Sequence, residues 1–436
     1  MRRAIIFTIP VLVLVLAIAI FPRKVNIEPA GKAGQAQVAE VLGGAEPVVP
    51  PDSQPPATNP PLVTAVSPKN YSDIGPQPQL PNPPGIAKAI YLTGWSAGSS
   101  KKVDETIALI KRTELNAVII DIKDYSGLVS YAMDIPLVKE SGAMGEIRIT
   151  RPNEVIKKFH DAGIYVIGRI TVFQDPILAK LKPGWALQRK DTGKTWTDSK
   201  GLAWMDPAGQ GTWDYIISIA RDGIARGFDE INFDYIRFAS DGTLGNISYP
   251  FWDQKSSRSK VIAKFFVYLR EKMDSTGSPQ VGRPKISADL FGLATVNKDD
   301  LGIGQVIEDA YKNFDFVAPM VYPSHYAPGF IGFQKPGEHP YEVMKYSLDR
   351  ANERWNALVH PKSTSTIPIP PEKLGKLRPW IQDFNLGATY TASMVRKEFQ
   401  AVYDSLINGT TTGAYAGWLI WDASNTYTEG ALEKKQ

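Results

Sequence analysis

A closed (β/α)₈ barrel, the TIM-barrel architecture, is the fold the sequence predicts, and three observations predict it. From Ala87 onward, short β-type apolar runs alternate with amphipathic helical stretches. Eight such runs occur, and eight strand–helix units fit the length that remains. The first run is followed by Thr93-Gly-Trp-Ser-Ala-Gly-Ser99, which fits neither G-x-G-x-x-G nor the P-loop pattern. An open doubly wound sheet would announce itself there with a phosphate loop, so nucleotide binding is not expected.

The strands are expected at residues 89–95, 117–123, 165–172, 230–238, 285–291, 316–322, 379–384 and 417–421. Near-continuous apolar runs such as Ala117-Val-Ile-Ile-Asp121 suit parallel strands buried on both faces. Helices are expected at 102–113, 153–162, 213–226, 259–273, 304–313, 342–358 and 391–407. The first carries Val103, Ile107 and Ile110 at helical spacing, and the second and third run into Gly163 and Gly227, candidate C′ glycines. Little chain follows the last strand, so an eighth helix should be small or irregular.

Ahead of the barrel, Arg2 and Arg3 precede an uncharged apolar run from Ala4 to Phe21. Such a run spans about 27 Å as a helix, close to the hydrocarbon thickness. Residues 1–24 therefore read as a membrane anchor, with a cleaved signal segment as the alternative. Both readings export the rest of the chain. Residues 25–85, rich in proline and without hydrophobic periodicity, read as a disordered stalk. Residues 86–436 are the barrel domain.

Composition narrows the chemistry. Net charge is +4, from 49 basic and 45 acidic residues, without a basic block, so no nucleic-acid partner is expected. Cysteine is absent, which excludes disulfides, thiol nucleophiles and thiolate metal sites. Only His160, His325, His339 and His360 are present. Neither metal nor cofactor is expected, and a monomer is. Catalysis would rest on carboxylates.

In such barrels the working side chains stand at the C-terminal ends of strands. On the fourth strand, alternation puts Asn232 and Asp234 on one face. Polar groups there are costly to bury unless paired, which makes Asp234 the first catalytic candidate. The competing reading is a structural Asp held by Arg237 or a neighbouring strand. Asp289 lies near the end of the fifth strand, about 4.8 Å away across the sheet. The two carboxyl groups could face one cleft, unless Asp289 merely caps the following loop. Paired carboxylates are the chemistry of glycoside hydrolysis, one protonating the leaving oxygen while the other attacks or activates water. Their proximity also raises one pKa.

Other strand ends supply candidate substrate contacts. Asp121 and Lys123 share a face of the second strand, as an ion pair or as sugar ligands. Arg169 needs an acidic partner such as Asp121 or Asp234, or belongs to a lower structural salt bridge. Tyr322, Gln382 and Asp422 could hydrogen-bond sugar hydroxyls, with Arg237 and Asp383 beside them. His325 reads as a binder or loop residue more readily than as a base. Glu230 begins its strand at the opposite pole, so an acid must be an Asp or a loop Glu such as Glu140 or Glu146. Trp95, Trp185, Trp196, Trp204, Trp252, Trp380 and Trp421 fall near strand ends or in the following loops. Their faces suit sugar rings, although loop packing uses tryptophan too.

Four segments carry a resemblance. Ala89-Ile-Tyr-Leu-Thr-Gly-Trp95, Asn116-Ala-Val-Ile-Ile-Asp-Ile-Lys-Asp124, Phe228-Asp-Glu-Ile-Asn-Phe-Asp-Tyr-Ile-Arg-Phe238 and Arg378-Pro-Trp-Ile-Gln-Asp-Phe384 resemble the glycoside hydrolase domain family of bacterial envelope proteins. The resemblance covers about residues 87–425. It implies a TIM barrel distantly similar to the α-amylase superfamily. There the fourth strand sets a nucleophilic Asp two residues after an Arg. Asp234 matches, and Asn232 stands where the Arg would be. The fifth strand of that superfamily offers a Glu acid, where Asp289 stands here. Its stabilising Asp on the seventh strand is matched only roughly by Asp383. These departures leave retention and inversion both open.

The expectation is a hydrolase or transglycosidase acting on an envelope or extracellular polysaccharide, with Asp234 as nucleophile or base and Asp289 as acid. A noncatalytic glycan-binding barrel on a stalk is the alternative. A metal-dependent deacetylase is a third, disfavoured by the scarcity of histidine.

Overall fold

The computed structural model describes residues 72–276, 283–363, 365–409 and 413–435. Eight parallel strands form one closed cylinder: β1 (Ala87–Leu92), β2 (Ala117–Lys123), β3 (Tyr165–Thr171), β4 (Glu230–Asp234), β5 (Lys285–Phe291), β6 (Phe316–Met320), β7 (Trp380–Gln382) and β8 (Gly417–Trp421). Each pairs with its sequence neighbour, and β8 returns to β1. The seam between β6 and β7 is made by Lys376–Leu377 beside Phe316 and Val317, then by Trp380 beside Met320.

The main helices are α1 (Ser100–Arg112), α2 (Pro152–Asp161), α3 (Gln210–Arg226), α4 (Arg258–Asp274), α5 (Ile307–Asn313), α6 (Pro340–Val359) and α7 (Ala392–Leu406). Ser99, Ser257 and Thr391 accept backbone N–H bonds at the starts of α1, α4 and α7. Gly227 ends α3 at φ 111°. After β8 comes only the short turn Glu429–Ala431, as the brevity of the remaining chain suggested.

Several strands stop earlier than their apolar runs. β1 ends at Leu92 because Thr93 already caps the helix Gly94–Gly98. β4 ends at Asp234 because Tyr235 takes φ 53°, a left-handed value outside any strand. Continued apolar character there reflects packing of the loops over the mouth.

Alternation divides the strand side chains into two cores. Ile90, Val118, Ile120, Val166, Ile231, Phe233, Leu290 and Ile420 face the helices. Ala89, Tyr91, Ala117, Ile119, Tyr165, Ile167, Ala318, Trp380 and Leu419 fill the cylinder. Two ionic layers interrupt that interior. At the N-terminal pole Arg378 donates to both Glu230 oxygens at 3.1 Å, with Tyr165 Oη on Glu230 at 3.2 Å. The upper layer centres on Arg169, so the lower structural bridge belongs to Arg378.

The apolar run 4–21 and residues 25–71 lie outside the described residues. Residues 72–85 correct the expectation of a disordered stalk reaching residue 85, because they are docked against the N-terminal pole. Asp73 accepts from the backbone of Asn153 at 2.8 Å and Glu154 at 3.2 Å, capping α2, whose own Arg151 supplies no cap. Gln77 N–H donates to Arg226 O at 3.0 Å and Leu80 N–H to Asp229 Oδ1 at 2.6 Å. The Leu80 side chain packs on the barrel interior from below. Among the described residues no helix is long and apolar enough to cross a membrane.

Candidate active site

At the C-terminal pole the inward faces of β1 to β5 become polar, and one guanidinium organises them. Register places Arg169 beside Asp121 on one side and Asn232 on the other. Arg169 Nη1 donates to Asp121 Oδ1 at 2.9 Å, Nη2 to Asp234 Oδ2 at 2.5 Å, and Nε lies 3.9 Å from Asp289 Oδ2. Three carboxyl groups from three strands thus surround one buried cation. Burial alone would lower the Arg169 pKa, but Asp234 and Asp121 raise it well above its ordinary value.

Asp289 is the most enclosed of the three, 1 % exposed. Its Oδ1 accepts from Asn232 Nδ2 at 2.9 Å and from Trp380 Nε1 at 2.8 Å. Its Oδ2 has no hydrogen-bond partner among the described residues. Burial first, and the negative charge of Asp234 second, push the Asp289 carboxyl well above the usual carboxylate range, with Arg169 opposing. That shift favours the protonated form, and Oδ2, without a hydrogen-bond partner among the described residues, is the oxygen left to carry the proton.

Asp234 differs. Its Oδ2 takes the Arg169 bond and its Oδ1 accepts from Tyr235 N at 2.6 Å. The positive φ of Tyr235 turns that N–H back onto the carboxylate, a strained conformation at the site itself. Asp121 accepts from Tyr91 Oη at 2.5 Å. Burial pushes its pKa up to about 6, partly offset by Arg169. Tyr91 stacks on Trp421 at 4.1 Å, and the Arg169 guanidinium lies 5.2 Å from the Trp421 ring. Asn232 occupies the place expected for an arginine, and Arg169 from the adjacent strand brings the positive charge to Asp234 instead.

The structure does not gather every candidate into this cluster. Lys123 is fully buried, with Nζ on Thr171 O at 2.8 Å and on Asp175 Oδ2 at 3.0 Å. The register between β2 and β3 shifts between Asp121 and Lys123, and Lys123 reaches Asp175 instead of the Arg169 cluster. Arg237 donates to Phe238 O and Ser240 Oγ among the rings of Trp204, Tyr235 and Phe291, and Arg169 is the cation bonded to Asp234. Gln382 is spent inside the protein, with Oε1 on Ser324 and Nε2 on Phe384 O.

Asp383 holds Thr428 through N–H and hydroxyl at 2.7 Å each, and burial raises its pKa. Asp422 likewise ties Ser424. Tyr322 packs edge-on against His325 and Phe384. Burial lowers the His325 pKa to about 4, leaving it too weak a base at neutral pH.

Most of the tryptophans are packing residues. Trp196, Trp204 and Trp380 are each 1 % exposed, and Trp185 and Trp252 are half-buried. Trp95 is 56 % exposed. Glu140, on the short helix Pro136–Ser141, and Glu146 remain at the surface, paired with Lys182 and Arg148. Tyr91, Asp175 and the turn at Tyr235 were missed in the sequence. An inward hydroxyl on an apolar strand could have flagged Tyr91, but nothing local marks Tyr235.

Among the described residues no three His, Asp or Glu side chains converge as a metal site. A surface depression of about 350 Å³, lined by Ala392, Ser393, Arg396, Lys397, Gln400 and Gly430, lies on the outer helix layer rather than at the mouth.

With this geometry in view, the family described as "Putative glycosyl hydrolase domain" matches residues 89–427. No curated protein matches the chain. A hypothetical protein from Ruminiclostridium thermocellum ATCC 27405 is similar at 37 % identity, covering 49 % of this chain and 98 % of that one, with a TM-score of 0.40. An α-amylase from Lactobacillus plantarum is similar at 11 % identity, over 78 % of this chain and 71 % of its own, with a TM-score of 0.44. An inactive variant of a GH20 exo-β-N-acetylglucosaminidase from Vibrio harveyi is similar at 11 % identity, over 77 % and 50 %, with a TM-score of 0.48.

Proposed function

The chain belongs to this glycosyl hydrolase domain family, and from that premise we propose that it is a glycosidase or transglycosidase acting on a cell-envelope or extracellular polysaccharide. The observation that carries the proposal is the unequal environment of two carboxyl groups on adjacent strand ends. Burial and the neighbouring Asp234 push the Asp289 carboxyl upward, and its Oδ2 accepts no hydrogen bond among the described residues, while Asp234 is bonded directly to Arg169. Unequal carboxyl groups are what acid/base glycoside cleavage needs.

In this reading Asp289 gives its proton to the glycosidic oxygen as the C–O bond breaks. Asp234 attacks the anomeric carbon or takes a proton from the water that does. After direct attack, a water cleaves the Asp234–sugar ester, its hydroxyl going to the new reducing end and its proton to Asp289; after water attack, the hydroxyl is already in place, Asp234 releases its proton to solvent and solvent reprotonates Asp289. Arg169 holds Asp234 in position through its Nη2 bond, and Asp121 with Tyr91 holds the far side of that guanidinium in place. The reading of residues 1–24 as an anchor or signal supports a site of action outside the cytoplasm.

The test is release of reducing ends from purified cell-wall and extracellular polysaccharides. Asp234→Asn and Asp289→Asn should each lower turnover by about 10²–10⁴-fold while leaving glycan affinity largely intact. Unchanged turnover in either variant removes that residue from the mechanism. A second reading, glycan binding without cleavage, draws on the burial of both carboxyl groups around Arg169. It predicts that the wild type releases no reducing ends and that Asp234→Asn binds as the wild type does.

A further inference from the structure

Ten tryptophans are present, and Trp95 alone among them is exposed. It stands three residues past β1, at the same pole as the carboxyl cluster, on the short helix Gly94–Gly98. At 56 % exposure the indole forgoes much of the burial that the other tryptophans gain.

The helix that carries it is unusually fixed. Thr93 accepts from Ser96 N at 3.2 Å and donates its own N–H to Asn425 Oδ1 at 3.0 Å. Asn425 in turn donates to Tyr91 O at 3.1 Å, tying the helix to the strand end beside Asp121. A Cβ on Gly94 would lie 2.4 Å from Ser130 Oγ, and one on Gly98 only 1.9 Å from the Arg148 carbonyl oxygen. The two glycines let the helix backbone rest directly on the segment after β2. Arg148 then sets its guanidinium 5.6 Å from the Trp95 ring centroid. Arg148 is itself held by Asp124, the residue following β2, and by Glu146 at 3.1 Å. Glu146 keeps 44 % of its side chain in solvent.

We propose that Trp95, backed by Arg148 and flanked by Glu146, is an outer carbohydrate subsite that stacks one pyranose ring of a polysaccharide outside the carboxyl pair. It rests on the glycosidase reading above. The indole offers an open apolar face to the C–H groups of the sugar, and the Glu146 carboxylate accepts from a hydroxyl. Because the helix is already clamped, little ordering is lost on binding. An occupant made of protein would need a wider apolar surface than one ring.

The test uses the full chain with maltohexaose, cellohexaose and N,N′,N″-acetylated chitohexaose as probes, read by titration and by acrylamide quenching of tryptophan fluorescence. At least one hexasaccharide should bind the wild type and shield its tryptophans. Trp95→Ala should weaken that binding about tenfold and abolish the shielding, and Trp95→Phe should restore most of the affinity. Equal affinity in wild type and Trp95→Ala overturns the subsite, as does binding of none of the three sugars. Asp234→Asn separates this from the mechanism. If that variant still turns over while Trp95→Ala loses affinity, the acid/base assignment fails and the subsite stands.

Discussion

Two of the aspartates around Arg169, Asp121 and Asp289, shape how the upper barrel responds to protons. The Asp121 carboxyl is raised from 3.8 to about 6, chiefly by burial. Between these values the folded protein binds more protons than the unfolded chain, so stability falls as pH rises from about 4 to 6. The fall is on the order of 1–3 kcal/mol for this group, and Asp289 acts in the same direction. Urea denaturation at stepped pH should show a shallower decline over this range for Asp121→Asn than for the wild type; parallel curves contradict the assignment. Lys123 makes a different prediction, because it serves the fold rather than the site. Lys123→Met leaves Asp175 buried without its cation, at a cost of about 3–5 kcal/mol. Adding Asp175→Asn should recover most of that loss, since Asn keeps the cap on Leu178 N that Asp175 provides. Failure of the double variant to recover shows that Lys123 contributes through packing instead.

Strands and helices were legible wherever periodicity was sustained. The run 117–123 is β2 to the residue, and 285–291 and 417–421 are likewise β5 and β8. What was not legible depends on backbone departures that apolar patterning does not encode. The register shift at the end of β2 accompanies the pairing of Lys123 with Asp175, and the left-handed Tyr235 cuts β4 short. The carboxyl candidates could be named from alternation, and Arg169 from a buried cation's need of Asp121 or Asp234; what was not legible is that one guanidinium meets both, from the strands on either side of its own. Element ends carry a further prediction. Arg151 leaves α2 without a cap of its own, and Asp73 supplies one to Asn153 N from 80 positions earlier. Asp73→Ala should therefore cost about 0.5–2 kcal/mol in thermal or urea unfolding, and a neutral result would show that water satisfies those N–H groups equally well.

At the scale of the molecule, the two poles of the cylinder have separate duties. Residues 72–85 close the N-terminal pole, where composition alone suggested only a proline-rich tether, because hydrogen bonds from Asp73, Gln77 and Leu80 leave no periodic trace. The chain thus enters the barrel beneath the Glu230–Arg378 layer, and the Arg169 cluster stands at the opposite mouth. A polysaccharide would meet the protein on the face turned away from the entering N-terminal segment. The account depends on that mouth admitting a glycosidic bond between Asp234 and Asp289, two groups that Arg169 now draws together. A crystal structure of the Asp234→Asn variant with a bound oligosaccharide examines this directly. It should place a glycosidic oxygen about 2.6–3.2 Å from Asp289 Oδ2, with the sugar ring over residue 234. A sugar held elsewhere, with Asp289 still enclosed beside Arg169 and out of its reach, would contradict the assignment.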